Sequence, residues 1–426
     1  MKNYIAWRAN LKKMAVILGV LITITACSFI VKPIAGNFSK EPHLRYSSLS
    51  KEAKKMIEES FKGIDFSKYR DVHVHLVGIG DGGSGAWVNP KMREGFHLFE
   101  RIKYAVYMSA SGVEGEKNVD QQYLQRLVKL TKGFPRGAKF HLFAFDKFYN
   151  EQGDADLNHT SFYVPNNYMM KVVALHPDVF VPVASIHPYR KDALEKLEFY
   201  AKKGIRFLKW LPNAMGIDAS HPKSLEFLAK MKELNMVLIT HIGEEKAVEG
   251  EAFQALGNPL LFRKVLDMGL KVIMAHLGTL GDCKDLDSEK GEMKSCYELF
   301  WRLFKDPKYE KNLYADASAI TIFSRTKHIH HMISHTDFHH RIIHGSDYPL
   351  PAVNILYRTG QYAKLKLIPI NEREILNEIY DYNPLVFDFV VKRRLGHEEN
   401  QFSTKIFEFP EELLKVEPQG PSSKTL

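Results

Sequence analysis

Asp71-Val72-His73-Val74-His75 decides the reading of this chain. Side chains of an extended strand alternate between faces. Asp71, His73 and His75 therefore share one face, and Val72, Val74 and Leu76 the other. Two imidazoles at i and i+2 on a strand that otherwise reads as buried need a chemical reason. A metal ion is the commonest, because neutral imidazole is a good ligand for zinc and similar ions. Two ligands do not close a site, so the rest must come from elsewhere in the chain.

Working outward, strand-like and helix-like segments alternate from residue 70. Strands are expected at Val72–Val77, Phe140–Phe145, Phe180–Ile186, Ile205–Leu211, Val237–His241, Lys271–His276, Asn312–Asp316 and Arg341–Gly345. Most are apolar runs, as parallel strands covered on both faces require. Helical patterns lie between them at Asp192–Lys203, Pro222–Leu234, Asn258–Met268 and Met293–Phe304. Eight strands alternating with helices over roughly 280 residues have the count and size of a closed (β/α)₈ barrel. An open doubly wound sheet is the rival, but it has no need of eight strands at this spacing.

The missing ligand types stand where such strands end. His241 closes the fifth strand and precedes Gly243, and His276 closes the sixth and precedes Gly278. The eighth runs Ile343-His344-Gly345-Ser346-Asp347, and the fourth carries Lys209. Alternation puts Val237, Ile239 and His241 on one inward face. It does the same for Val272, Met274 and His276, and for Ile343, Gly345 and Asp347. Each residue alone has a bland explanation: a hydrogen-bonded core histidine, a solvated lysine, or a helix-capping aspartate. Their joint appearance at strand ends of one barrel is what the bland reading does not predict.

These motifs resemble the amidohydrolase superfamily, and specifically its amidohydrolase-2 family: Asp71–His75, Gly204–Pro212, Thr240–Gly243, Ala275–Gly278 and His344–Pro349. The resemblance runs over about 70–390 and implies a TIM barrel with a divalent metal, most often zinc, held by His73, His75, His241 and Asp347. It makes Lys209 and His276 conditional ligands. In binuclear relatives the lysine is carboxylated and bridges two ions; one ion is the favoured reading here, two the alternative. The implied chemistry is metal-activated attack of water on a carbonyl. Asp347 would serve as general base and then acid, His276 would stabilise the developing oxyanion, and Asp71 would support the ligands from behind.

That resemblance sets the leading expectation, a hydrolase of a small-molecule amide, ester or lactone. A non-oxidative decarboxylase using the same ligands is the second reading, and a non-catalytic, surface-tethered binding protein the third. His187, Asn213 and Glu244, near strand ends, are weaker candidates for substrate contact, as are Glu245, Tyr314 and Asp316. Two long loops, 78–95 and 147–164, leave the catalytic end of the expected barrel and suit lid or wall roles. The glycines of the first do not make a phosphate cradle, because no Lys-Ser/Thr pair and no helix follow them. Seven histidines between His328 and His344 read as a surface helix on the opposite side, not as a second metal site.

The termini carry a different message. Residues 1–26 hold Lys2, Arg8, Lys12 and Lys13, then an apolar run ending Ile24-Thr25-Ala26-Cys27. This pattern reads as an export signal. Its ending resembles a bacterial lipobox, which makes Cys27 a lipidation site and the protein an exported, membrane-tethered lipoprotein; an uncleaved anchor is the alternative. Residues 27–69 read as linker and short helix, 70–390 as barrel, and 391–426 as a C-terminal helical extension and peripheral tail. Four of the nine net positive charges lie in residues 1–26, and no dense basic run follows, so nucleic-acid binding is a poor reading. Cys283 and Cys296 are read equally well as a disulfide or as two thiols. A homo-oligomer is compatible with the sequence.

Overall fold

The computed structural model describes residues 31, 34–36, 38, 40–397 and 399–415. The signal-like segment and Cys27 lie outside the described residues. Among those described, no helix is long and apolar enough to cross a membrane.

Eight parallel strands form a single sheet in chain order: β1 (Arg70–His75), β2 (Lys139–Phe143), β3 (Phe180–Ala184), β4 (Phe207–Trp210), β5 (Val237–His241), β6 (Val272–Ala275), β7 (Leu313–Asp316) and β8 (Ile342–Ile343). The chain beyond β8 brings the last strand against the first. The Val72 amide donates to the His344 carbonyl at 3.0 Å, and the His75 amide to that of Tyr348 at 2.9 Å. Helices such as Ala193–Lys202, Pro222–Glu233 and Cys296–Phe304 cover the outside, each burying an apolar face. This is the expected TIM barrel.

One set of side chains fills the barrel and another packs under the helices. Phe143, Val183, Phe207, Val237, Ile239, Ile273, Tyr314 and Ile343 fill the inside, and Leu142, Leu208, Leu238 and Met274 are among those outside. Two strands depart from the alternation read in the sequence. In β1 the register with β2 shifts between Asp71 and Val74, so Val72 joins the interior set while Val74 remains outside. In β6 it is Ile273, not Val272 and Met274, that faces inward. His276 regains the inward side because it and Leu277 take the left-handed backbone, at φ 59° and 50°.

The tail is not peripheral. Phe409 and Leu413 enter the barrel's N-terminal floor beside Phe207 and His141, and the Phe409 amide donates to Lys68 at 2.9 Å. Each such buried side chain contributes roughly 1.5–3 kcal/mol. At the other end the two long loops join, with Trp87–Val88 pairing antiparallel to Phe162–Tyr163. The glycine-rich stretch is held by Asp120, whose carboxylate accepts the Ile79 amide at 2.6 Å and the Gly80 amide at 3.2 Å. A Cβ at Gly78 would stand 2.7 Å from that carboxylate, so close approach to Asp120 explains this glycine. Cys283 and Cys296 form a disulfide across the hairpin Asp282–Lys284/Met293–Ser295. The helix of the histidine-rich segment spans Ile329–Ser334; His331 and His340 are exposed, whereas His339 and His344 are buried.

Candidate functional site

The C-terminal strand ends converge on one point. The His73 and His276 ring centroids are 5.0 Å apart, those of His241 and His276 4.9 Å, and those of His73 and His75 5.2 Å. Asp347, at φ 67° just beyond β8, reaches into this cluster. Its Oδ1 lies 3.2 Å from Nε2 of His73 and 3.1 Å from Nε2 of His75, and its Oδ2 is 4.0 Å from Nε2 of His276. Lys209 of β4 places Nζ 3.5 Å from Nε2 of His73 and 5.2 Å from the Phe143 ring centroid.

Three buried histidines share one arrangement. Nδ1 of His73 faces Oδ2 of Asp316 at 2.9 Å. Nδ1 of His276 faces the Ser318 carbonyl at 3.1 Å, and Nδ1 of His241 lies 3.5 Å from Oε2 of Glu245. Partners on Nδ1 fix the tautomer and leave Nε2 as the lone-pair donor. Ser318 knits the layer together: its hydroxyl lies 2.8 Å from Nδ1 of His276 and 3.1 Å from Nδ1 of His73, and it also donates to Asp316. Asp71 supports the backbone instead of an imidazole, accepting the Ser346 amide at 2.8 Å and the His73 amide at 3.1 Å.

The protonation states suit a cation. Burial holds His73, His241 and His276 well below the ordinary imidazole range, with neighbouring positive groups adding to it. They are neutral near pH 7 and can each offer a lone pair. Burial opposes ionisation of Asp347, but His73, His75 and Lys209 outweigh it and the carboxyl sits below its usual range. Burial brings the Lys209 ammonium down to about 8, against the pull of Asp316 and Asp347.

Do these residues fit a metal? Nε2 of His241 is buried and has no hydrogen-bond partner among the described residues. An orphaned imidazole nitrogen in the wall of the cavity that also holds His73, His75 and Asp347 has the donor chemistry of a divalent-ion ligand. Among the described residues two groups have ligand atoms close enough to hold one, His73, His75 and Asp347, or His73, His276 and Asp316; the expected ligand His241 is in neither. In the second the atoms that meet are already joined through Ser318, so the first is the better ligand set.

The family model for amidohydrolases matches residues 71–385. The chain belongs to the amidohydrolase family. No curated protein matches it. Among solved structures, one similar to this amidohydrolase is a probable 2-pyrone-4,6-dicarboxylic acid hydrolase from Acinetobacter baumannii. It is 13% identical with a TM-score of 0.43, over 74% of this chain and 95% of that one. Another is 5-carboxyvanillate decarboxylase from Sphingomonas paucimobilis, 13% identical with a TM-score of 0.44, over 72% and 96%. A third is 4-oxalomesaconate hydratase from Rhodopseudomonas palustris, 14% identical with a TM-score of 0.39, over 73% and 96%.

Above the cluster this amidohydrolase has a cavity of about 570 Å³. His73, His75, Lys209, His241, His276 and Asp347 lie in its wall, and the loops supply apolar cover through Val77, Ile79, Val88, Met92 and Phe162. The helix Leu98–Ala110 adds Tyr107 and Met108. The weaker candidates sort differently. His187 and Asn213 do not line the cavity: His187 bonds the Met215 carbonyl at 2.7 Å, and Asn213 donates to Gly243 and Gln254 at 3.1 and 2.9 Å. Glu244 pairs with Lys246 at 3.2 Å, while its neighbour Glu245 lines the cavity. Ser318 and Arg325 escaped the sequence reading because they follow β7 in a loop without periodicity.

Proposed function

We propose that this amidohydrolase is a metal-dependent hydrolase acting on an amide, ester or lactone carbonyl of a small, largely apolar molecule. The observation that carries the proposal is the Asp347 carboxylate, in reach of Nε2 of both His73 and His75 beneath a mostly apolar cavity.

His73, His75, His241 and Asp347 would hold the ion, with zinc as the expected metal and Lys209 and His276 as conditional further ligands. A divalent ion so held supplies Lewis acidity toward the substrate carbonyl and makes water nucleophilic near neutral pH. The chain supplies the rest. Asp347, ionised near pH 7, accepts the proton from the attacking water and returns it to the leaving group. His276, with Nδ1 committed to Ser318, presents Nε2 to the reacting centre. The loop walls exclude bulk water and orient the apolar body of the substrate.

The test is metal analysis of the purified chain together with a panel of esters, lactones, amides and carboxylic acids. The expected result is stoichiometric divalent metal, hydrolysis within the panel, and loss of both in His73→Ala without loss of the fold. Absence of stoichiometric metal would overturn the proposal. Release of CO₂ with no hydrolysis would move the assignment to the decarboxylase reading.

A further inference from the structure

Arg325 is the most conspicuous charge that this mechanism does not use. It follows β7, is only 7% exposed, and lies in the wall of the cavity that holds the candidate ligands. A guanidinium offers five donors in a planar fork. Here Nη1 donates to the Thr279 hydroxyl at 3.3 Å, and no carboxylate forms an ion pair with the group among the described residues. The two acids that act on it most, Glu245 and Asp347, are committed elsewhere. Glu245 accepts the amides of Ala247 and Val248 and faces His241, and Asp347 faces His73 and His75.

An arginine buried without an ion-pair partner is costly, and a bound anion offsets that cost. The fork matches a carboxylate in two parallel hydrogen bonds. Away from the candidate ligands, Glu245 and Lys246 the wall is mostly apolar and aromatic, so the body attached to such a carboxylate would be largely apolar too. We infer that Arg325 is a substrate-anchoring residue that binds a carboxylate carried by the substrate, separate from the carbonyl presented to the metal site. This rests on the proposed hydrolase and narrows its substrates to acids with an apolar body. Arg325 acts here in binding and orientation, not in the bond-breaking step.

The test compares full-length wild type with Arg325→Met and Arg325→Lys, each zinc-loaded and checked for a cooperative melting transition and for metal content. The probes are benzoate and its uncharged isostere benzamide, titrated by calorimetry. The expected result is that Arg325→Met weakens benzoate by about tenfold to a hundredfold, leaves benzamide unchanged, and retains metal. Arg325→Lys, which keeps the charge but loses the fork, should fall between. Equal benzoate affinity in wild type and a metal-retaining Arg325→Met would overturn the inference, as would failure of wild type to prefer benzoate over benzamide. If the Met variant does not fold, the Lys variant carries the comparison, and benzoate affinity equal to that of wild type overturns it. A wild type without metal would sink the hydrolase proposal alone, because the benzoate contrast still reads Arg325.

Discussion

Nδ1 of His73 on β1 stands 2.9 Å from Oδ2 of Asp316 at the end of β7, with only β8 between the two strands, and both side chains are buried. The same carboxylate accepts the Ser318 amide at 2.9 Å and the His276 amide at 3.3 Å. One side chain therefore sets the tautomer of one candidate ligand and the backbone of another residue in the site.

That arrangement predicts the behaviour of Asp316→Asn. An amide can turn its NH₂ toward Nδ1 and place the imidazole proton on Nε2, where the metal needs a lone pair. Metal affinity should fall by about 10- to 100-fold with the fold retained. Competition against a chromophoric chelator measures it. Unchanged affinity would show that Asp316 does not orient His73.

Gly345 makes a steric prediction. A Cβ built there would lie 3.0 Å from Cβ of His73 and 3.2 Å from Cβ of Ser318. Gly345→Ala must displace one or the other. Stability should drop by about 1–3 kcal/mol, as overpacking does, while activity falls more than that loss explains. Denaturant unfolding and turnover, measured on the same preparation, separate the two effects.

Much of this was legible in the sequence, for reasons that can be named. The apolar runs of β5 and β7 announce buried parallel strands, and His241 and Asp347 stand where the barrel puts its chemistry. What stayed hidden is non-local. The bulge in β1 and the left-handed turn at His276 reset the alternation, and no period-two count can foresee either. Phe409 is one aromatic in a polar tail until the barrel floor receives it. Arg325 is a loop arginine until burial leaves it without an ion-pair partner.

The barrel floor predicts an acid sensitivity. His141 lies inside β2 against Phe207 and Phe409. Burial, with Arg70 adding repulsion, lowers its pKa from 6.5 to about 3. Between those values the unfolded chain holds one more proton than the folded chain at this position. The stability it contributes is therefore full above 6.5 and is lost as the pH falls toward 3, at about 1.4 kcal/mol per pH unit. His141→Leu should flatten the stability profile by one proton over that window. Urea unfolding at stepped pH would show it, and an unchanged slope would refute it.

The last prediction concerns the support beneath the β8 turn. Nζ of Lys392 donates to Oδ2 of Asp388 at 2.6 Å and to the Gly345 carbonyl at 2.7 Å, with both side chains fully buried. Lys392→Met strands the carboxylate and should cost about 3–5 kcal/mol. Asp388→Leu/Lys392→Met removes both charges, so most of that loss should return. Activity should not return with it, because the Gly345 carbonyl, two residues before Asp347, still lacks its donor. A double variant that regains stability yet turns over poorly would make Lys392 a positioning residue for Asp347. Full recovery of activity would reduce the pair to a structural charge couple.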